Sequence, residues 1–340
     1  MIHPHVADAV KRPDLVRLTD SVVLLRFESM KIYSALAAVR HLLERGTISP
    51  GQTLVDSSSG IYAYALALAC HRYGMHCHVV ASTTVDASTL AQLEILGATV
   101  EQVQPSKNLK LDQELRVRRV RAFLARRTDA HWMRQYHDDV HYLGYREVAD
   151  QVTAALPDRP LAVVGGVGSG ASTGGLVEHL RRRDPSVRLV GVQPFGSVTF
   201  GSQDHDDPEA IIAGIGSSIV FDNVRHHLYD ALHWMDFTHA MAGTVALLRD
   251  HAVFAGLSTG AAYLAAVHES RRLPDRLHLV IGADTGHRYV ERVHRRHGEA
   301  LDPAGLKPVE VGSPDEMSMP WSTMAWNRTP CPAHWKESAA

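Results

Sequence analysis

The chain has 340 residues, of which 45% are hydrophobic and 21% are charged, and its formal net charge is −2. This composition is typical of a globular protein long enough to form two lobes. The near balance of charge excludes a general attraction to nucleic acid or to an anionic membrane surface. No apolar run approaches the length of a membrane span and the amino terminus lacks the pattern of an export signal, so we expect a cytoplasmic protein.

The cysteines and histidines give no sign of a metal centre. The three cysteines form no C-x-x-C pair, and the 22 histidines include no H-E-x-x-H or comparable spacing. We therefore expect reduced thiols and no metal site.

Segments with the periodicity of strands and helices alternate along the chain. The predicted strands lie at 21–27, 52–56, 76–80, 98–102, 161–164, 188–192 and 277–281. The predicted helices lie between them, at 31–44, 61–72, 88–96, 107–127, 140–156, 176–183 and 244–248. This alternation predicts right-handed βαβ units and mostly parallel sheets flanked by helices. After residue 303 the periodicity ends, and we expect an ordered or partner-docked tail.

Lys31 stands where a predicted strand gives way to a helix. Lysine is scarce in this chain, which has six lysines among its 35 basic residues, and an amine can lose its proton and attack whereas a guanidinium cannot. A helix start lowers the pKa of an amine and favours the neutral nucleophile. A lysine that simply extends to solvent from the first helical turn is the alternative.

Two polar loops each follow a predicted strand and precede a helix. Gly165–Gly175 follows Leu161–Val164 with six glycines, two serines and a threonine among its residues, and Ser57–Gly60 follows another strand. Free backbone N–H groups and the positive end of a helix suit a phosphate or a carboxylate. An ordinary glycine-rich turn and an N-cap serine without a ligand are the alternatives.

The glycine loop also fits the looser dinucleotide pattern G-x-G-x-x-A. That pattern requires an acidic residue at the end of the next strand, whereas this strand ends in Gln193-Pro194. We therefore expect the phosphate of a cofactor other than NAD.

Several motifs together resemble the cysteine synthase and cystathionine β-synthase family of fold-type II pyridoxal-phosphate (PLP) enzymes, over roughly residues 15 to 300. In chain order, Gly46–Gly60 is similar to G-x-L-x-P-G-x-T-[IL]-V-E-x-[TS]-S-G-N, Leu96–Val100 to L-G-A-x-V, Gly166–Gly175 to G-x-G-T-G-G-T-x-x-G, Val190–Pro194 to V-G-V-E-P, Gly214–Gly216 to G-I-G, Gly256–Ala261 to G-I-S-S-G-A, and Asp284–Tyr289 to [DS]-S-G-E-R-Y.

The resemblance implies a role for each matching residue. Lys31 would form the Schiff base with PLP and act as the catalytic base. Further cofactor contacts would come from Gly168, Ser169, Gly170, Ala171, Ser172 and Gly214, with Thr285, or less readily Asp284, facing the pyridine nitrogen. A hydroxyl there leaves the ring neutral and favours β-elimination over transamination. The substrate carboxylate would be held by Ser58, Ser59, Gly60 and Gln135.

The chain departs from the family pattern at two places. The residues before the lysine, Phe27–Met30, keep only the serine two positions earlier, and the asparagine that bonds the cofactor's 3-oxygen is replaced by Ile61. These changes favour a divergent member in a specialised pathway. The Ser-Ser-Ser-Gly and Gly-Ile-Gly-Ser-Ser loops are most similar to enzymes that join an activated serine to a non-sulfur nucleophile, as in making precursors of 2,3-diaminopropionate.

The resemblance implies a fold like that of tryptophan synthase β, with PLP in a cleft between two lobes of a homodimer subunit. We expect a large cofactor domain at 1–46 and 150–302, a small substrate-closing domain at 47–149, and a tail at 303–340. The predicted activity is β-replacement, in which elimination from an activated serine or cysteine-type amino acid gives an aminoacrylate that a nucleophile then attacks. A β-lyase that releases pyruvate and ammonia, and a non-catalytic binding subunit, are the alternatives.

Overall fold

The computed structural model describes residues 2–83, 85–104, 109–210 and 214–332. The strands are β1 Asp14–Arg17, β2 Val22–Arg26, β3 Thr53–Ser57, β4 His76–Ser82, β5 Thr99–Val103, β6 Ala130–Trp132, β7 Leu161–Gly166, β8 Arg188–Pro194, β9 Ala231–Met235, β10 Leu277–Gly282, β11 Val309–Glu310 and β12 Trp321–Ala325. The α-helices are α1 Val6–Ala9, α2 Lys31–Glu44, α3 Ile61–Tyr73, α4 Ala87–Ile95, α5 Leu109–Leu124, α6 Tyr145–Ala155, α7 Ala171–Arg181, α8 Phe237–His251 and α9 Leu257–Arg272.

The chain forms two compact units. The first unit comprises Met1–Arg12 and Ser29–Gly144, and the second comprises Pro13–Glu28 and Tyr145–Ala340. This division differs from the predicted domains at residues 1–12 and 29–46, which belong to the first unit, and at 145–149, which belong to the second. Residues 29–46 belong to the first unit because the apolar face of α2 packs with α3 in a core cluster there. The tail also belongs to the second unit, because β12 pairs with β9 and Trp321 is buried in that unit's core.

The first unit contains a four-stranded sheet in the order β5-β4-β3-β6, with every pair parallel. The chain runs outward from β3 through β4 to β5 and then returns to the other side of β3. The point where the direction of winding reverses therefore lies between β3 and β6. In open α/β sheets, ligands bind outside the carboxyl ends of the strands at such a switch point.

The second unit contains an eight-stranded sheet in the order β1-β2-β10-β7-β8-β9-β12-β11. The five adjacent strands β2, β10, β7, β8 and β9 are parallel. On one side of them β1 pairs antiparallel with β2, and on the other side β12 pairs antiparallel with β9. The chain winds from β7 through β8 to β9 and then returns to β10 on the opposite side of β7. Here the switch point lies between β7 and β10. The predicted class of mostly parallel sheets flanked by helices is confirmed.

Several predicted helix boundaries were wrong. The helix predicted at 176–183 begins five residues earlier, at Ala171, and the helix predicted at 244–248 is α8. In α7, Ser172, Thr173, Gly174 and Gly175 have weak helix propensity but are buried, and tertiary packing outweighs that propensity. The helix predicted from Val140 begins at Tyr145 after a 3₁₀ turn. The start predicted at Lys107 lies outside the described residues.

Candidate active site

Lys31 is the first residue of α2, as predicted, and only 6% of its surface is exposed. Burial lowers the pKa of its amine to about 8. The sequence argument attributed such a shift to the helix terminus, whereas the structure attributes it to removal of the ammonium group from water. Lys31 can therefore supply a neutral amine near physiological pH.

A buried hydrogen-bond chain fixes the first turn of α2. The ring of His141 lies 2.8 Å from the Met133 carbonyl through Nε2 and 3.1 Å from the Ser34 hydroxyl through Nδ1. A carbonyl only accepts, so Nε2 carries the proton and Nδ1 accepts from Ser34. Burial, with a contribution from the charge of Lys31, lowers the pKa of His141 to about 4. A neutral histidine thus ties the helix that carries Lys31 to the segment after β6.

The predicted carboxylate loop leaves the carboxyl end of β3 at the switch point of the first unit. The Ser58 hydroxyl accepts hydrogen bonds from the N–H groups of Gly60 and Ala63, at 3.3 and 3.2 Å, which caps the start of α3. The Ser59 hydroxyl accepts from the N–H of Ser82 at 2.6 Å. Both hydroxyls therefore shape the loop. Ile61 begins α3 and offers no side-chain donor.

Gln135 follows β6 and meets this loop directly. Its side-chain Nε2 donates to the Ser57 carbonyl at 2.9 Å, and the Tyr136 hydroxyl donates to the same carbonyl at 3.3 Å. The structure thus brings together Gln135 and the 57–60 loop, which lie far apart in the sequence. Asp56, to which sequence reasoning assigned no role, lies beneath both segments and accepts the backbone N–H of Gln135 at 3.0 Å.

The glycine loop leaves the carboxyl end of β7 at the switch point of the second unit. A Cβ added to Gly168 would lie 2.4 Å from the Gly214 carbonyl oxygen, and one added to Gly170 would lie 2.3 Å from the Asn223 carbonyl oxygen. Gly170 also has a φ of +79°. Glycine is required at both positions because backbone approaches backbone there. Gly214 thus lies beside the glycine loop, and its predicted contact with the cofactor stays a prediction.

The first turn of α7 presents the backbone N–H groups of Ala171, Ser172 and Thr173, for which the helix has no carbonyl one turn earlier. Gly170, the N-cap, has no side chain to satisfy them. Ser169 and Ser172 are buried beside this turn. The hydroxyl of Thr173 instead lies 2.8 Å from the Tyr229 hydroxyl. The arrangement suits an anion held by amides and by serine hydroxyls.

Asp284 and Thr285 follow β10, the parallel neighbour of β7, so they leave the same edge of the sheet as the glycine loop. Burial raises the pKa of Asp284 to about 6. Its Oδ1 atom is buried and has no hydrogen-bond partner among the described residues. The Thr285 hydroxyl lies 2.9 Å from Nδ1 of His287. Which of the two faces a cofactor ring stays a prediction.

Gln193 supports the glycine loop from β8. Its Nε2 donates to the Val167 carbonyl, which also accepts the N–H of Gly216 at 2.8 Å. In the sequence, Gln193 disfavours NAD and lies within the segment similar to V-G-V-E-P. Nothing in the local pattern signalled a structural role, because the contact joins residues far apart in the chain.

No group of three or more His, Cys, Asp or Glu residues that could hold a metal ion occurs within the described ranges. Nor does any helix in that part of the chain have the length and apolar character needed to cross a membrane.

The sequence of the chain is similar to those of two bacterial synthases. It is 31% identical to the N-(2-amino-2-carboxyethyl)-L-glutamate synthase of Ralstonia nicotianae, covering 86% of this chain and 90% of the relative. The corresponding enzyme of Cupriavidus metallidurans is 33% identical over 78% of this chain and 79% of the relative.

Solved structures share the fold. An O-acetylserine dependent cystathionine β-synthase from Helicobacter pylori matches with a TM-score of 0.77 and 21% identity, over 86% of this chain and 98% of that chain. An O-ureido-L-serine synthase matches with a TM-score of 0.77 and 22% identity, over 89% and 99%. The family model described as pyridoxal-phosphate dependent enzyme matches residues 24–283. The chain belongs to this family of pyridoxal-phosphate dependent enzymes, within its cysteine synthase-like, fold-type II group.

Proposed function

We propose that this protein is a β-replacement enzyme that joins the β-carbon of an activated serine, or of a cysteine-type amino acid, to a nucleophile. The observation that carries this proposal is the similarity, over most of both chains, to two enzymes named for making N-(2-amino-2-carboxyethyl)-L-glutamate. In that product a nitrogen of glutamate carries a three-carbon amino-acid unit. We therefore propose an amine, with glutamate as the first candidate, as the nucleophile.

Residues of each unit, taken separately, fit a part of pyridoxal phosphate. Added Cβ atoms at Gly168 and Gly170 would collide with backbone, so the glycine loop keeps its amides accessible to a phosphate. Asp284 has a buried oxygen without a hydrogen-bond partner in the described part of the chain. The amine of Lys31, with a pKa of about 8, is suited to attack an aldehyde.

In this proposal the second unit binds the cofactor. The N–H groups at the start of α7 and the hydroxyls of Ser169 and Ser172 hold the phosphate. Thr285, or else Asp284, contacts the ring nitrogen. When bound, the cofactor withdraws electrons from the substrate's α-carbon, which makes its proton acidic and its β-substituent easier to expel.

The first unit supplies the base and the substrate contacts. The Lys31 amine takes the proton from the substrate's α-carbon and returns a proton at the end of the reaction. The hydroxyls of Ser58 and Ser59, together with Gly60 and the Gln135 side-chain amide, bind the substrate carboxylate and orient the α-carbon, while the N–H of Ser58 holds the loop to the Val80 carbonyl at 3.1 Å.

The test supplies the PLP-loaded protein with O-acetyl-L-serine or O-phospho-L-serine, with and without L-glutamate, and identifies products by mass spectrometry. We expect N-(2-amino-2-carboxyethyl)-L-glutamate only when both substrates are present. Pyruvate and ammonia alone, at the same rate with and without glutamate, would assign the protein as a β-lyase instead. The same assay with other amines and thiols in place of glutamate then shows whether glutamate is the preferred nucleophile.

We further propose a homodimeric, cytoplasmic protein, on the strength of the family resemblance. Sedimentation equilibrium of the PLP-loaded protein is expected to give twice the mass of the chain, and fractionation of the source cells to recover it with cytoplasmic enzymes. A monomer that turns over at the full rate would contradict the first expectation.

A further inference from the structure

One buried carboxylate joins the two segments that leave the sheet of the first unit at its switch point. Asp56 is 2% exposed and lies near the end of β3. Its Oδ1 accepts the N–H of Ser57 at 2.8 Å and the indole N–H of Trp132 at 3.1 Å, and its Oδ2 accepts the N–H of Gln135 at 3.0 Å. Both strand ends are therefore attached to the same side chain.

The three hydrogen-bond partners of Asp56 favour its ionised form. Backbone and indole N–H groups only donate, so an ionised carboxylate satisfies all three whereas an amide or a protonated acid satisfies fewer. Of the two carboxylate oxygens, Oδ2 is the one that contacts the Gln135 segment, so a change at that oxygen removes the bond to the backbone of this segment. The side chain of Gln135 also contacts the Ser57 carbonyl directly, at 2.9 Å, so the two segments are joined both through Asp56 and to each other.

We propose that Asp56 is a positioning residue that holds the 57–60 loop and Gln135 in register to bind the substrate carboxylate. The proposal rests on the proposed function, because it assigns the substrate contacts to these two segments. Asp56 itself touches no substrate. It acts through the backbone amides of Ser57 and Gln135.

Protonation of Asp56 provides a readout. Burial raises its pKa to about 6, with a smaller contribution from the charge of Asp138. Tyr62 and Tyr136 face it as well, and burial raises both of their pKa values, that of Tyr136 to about 12, so neither ionises between pH 5 and 8. Burial also lowers the pKa of His131 on β6, so a His131 variant is needed to separate its titration from that of Asp56.

The first experiment measures the dissociation constant of L-serine for the PLP-loaded protein by calorimetry between pH 5 and 8. In the wild type we expect affinity to fall about tenfold per pH unit below pH 6. In Asp56→Asn we expect affinity to be about tenfold weaker at pH 8 and constant with pH, while kcat with O-acetyl-L-serine changes much less than KM. His131→Asn keeps the wild-type pH dependence. Asp129→Asn, at the far end of β6, serves as the matched carboxylate control.

The second experiment follows the indole N–H resonance of Trp132, identified by its loss in Trp132→Phe. We expect it to titrate with a midpoint near pH 6 in the wild type and in Asp129→Asn, and not in Asp56→Asn. This measurement reports the ionisation of Asp56. If Asp56→Asn does not fold, the affinity of the wild type for L-serine below pH 6, compared with that of His131→Asn, tests the proposal in its place.

An Asp56→Asn protein that binds L-serine within twofold of the wild type at every pH, or a Trp132 resonance that does not titrate, would overturn the proposal. Wild-type protein that binds neither L-serine nor O-acetyl-L-serine would overturn it together with the proposed function. Protein that binds L-serine as expected but makes no replacement product would contradict the proposed function alone.

Discussion

The two loops at the two switch points are held in place by different means. The 57–60 loop of the first unit is fixed by side chains, namely Asp56, Ser58, Ser59 and Gln135. The 166–170 loop of the second unit is fixed mainly by backbone against backbone, at Gly168 with Gly214 and at Gly170 with Asn223. Side-chain hydrogen bonds can be removed singly and respond to pH, whereas close backbone contacts tolerate no added atom. Substitutions in the first loop should therefore give graded effects, and those in the second should be severe.

The largest effect on activity is expected from substitution of Lys31, because no other group in either loop can supply its amine. Lys31→Ala removes the amine, so kcat/KM for the activated serine should fall by at least about 1,000-fold. Lys31→Arg should be as inactive, because a guanidinium stays protonated. Lys307→Ala, at an exposed lysine of the tail, should retain the wild-type rate. Stopped assays with O-acetyl-L-serine check all three, and an active Lys31→Ala would contradict the assignment.

The backbone contacts are tested by Gly170→Ala. The added methyl carbon would overlap the Asn223 carbonyl, so we expect affinity for PLP to fall by about 100-fold, measured by fluorescence titration of the apoprotein. Gly74→Ala is the matched control. Gly74 also has a positive φ, +65°, but a Cβ there meets nothing within 4 Å. That variant should lose about 1 kcal/mol of folding free energy and keep its PLP affinity. Equal PLP affinities in the two variants would refute the steric account.

The burial of the Lys31 side chain predicts how the rate of reconstitution with PLP depends on pH. Only the neutral amine attacks the aldehyde of PLP, and burial sets the pKa of this amine near 8. The rate of reconstitution of apoprotein with PLP should therefore rise about tenfold per pH unit below pH 8 and level off above it. An amine with the pKa of an ordinary lysine would instead give a rate that still climbs at pH 10. Stopped-flow absorbance measures this rate, with Lys31→Ala as the blank.

The smallest effect is expected at Ser58. Its hydroxyl caps α3, so Ser58→Ala should cost about 1 kcal/mol in the free energy of unfolding and leave PLP affinity unchanged. Ser58→Thr keeps the acceptor and should recover most of the stability. Urea unfolding of the apoprotein compares the two. A Ser58→Ala protein with weakened PLP binding would show that the two loops do not act separately.

Much of the fold could be predicted because periodicity and motif order are local properties of the sequence. The bounds of α2 were predicted to the residue, because both its apolar spacing and the Arg45-Gly46 pair that ends it can be recognised in the sequence. The extent of α7 was not, because four of its first five residues, Ser172 to Gly175, have weak helix propensity and are helical through burial.

The tail and the supporting residues of the site could not be predicted. Strand β12 is defined by its pairing with β9 some 90 positions earlier, and its five residues show no decisive pattern. Asp56, His141 and Gln193 act through partners far away in the chain. Buried polar residues of this kind carry no local signal, because their role exists only once their partners are in place.

The account depends most on a covalent bond between Lys31 and the cofactor. Reduction of the PLP-loaded protein with borohydride, followed by digestion and mass spectrometry, tests this directly. The account predicts one pyridoxyl-phosphate group per chain, attached to the peptide that contains Lys31. Labelling of any of the other five lysines at the same stoichiometry, or of none, would contradict it.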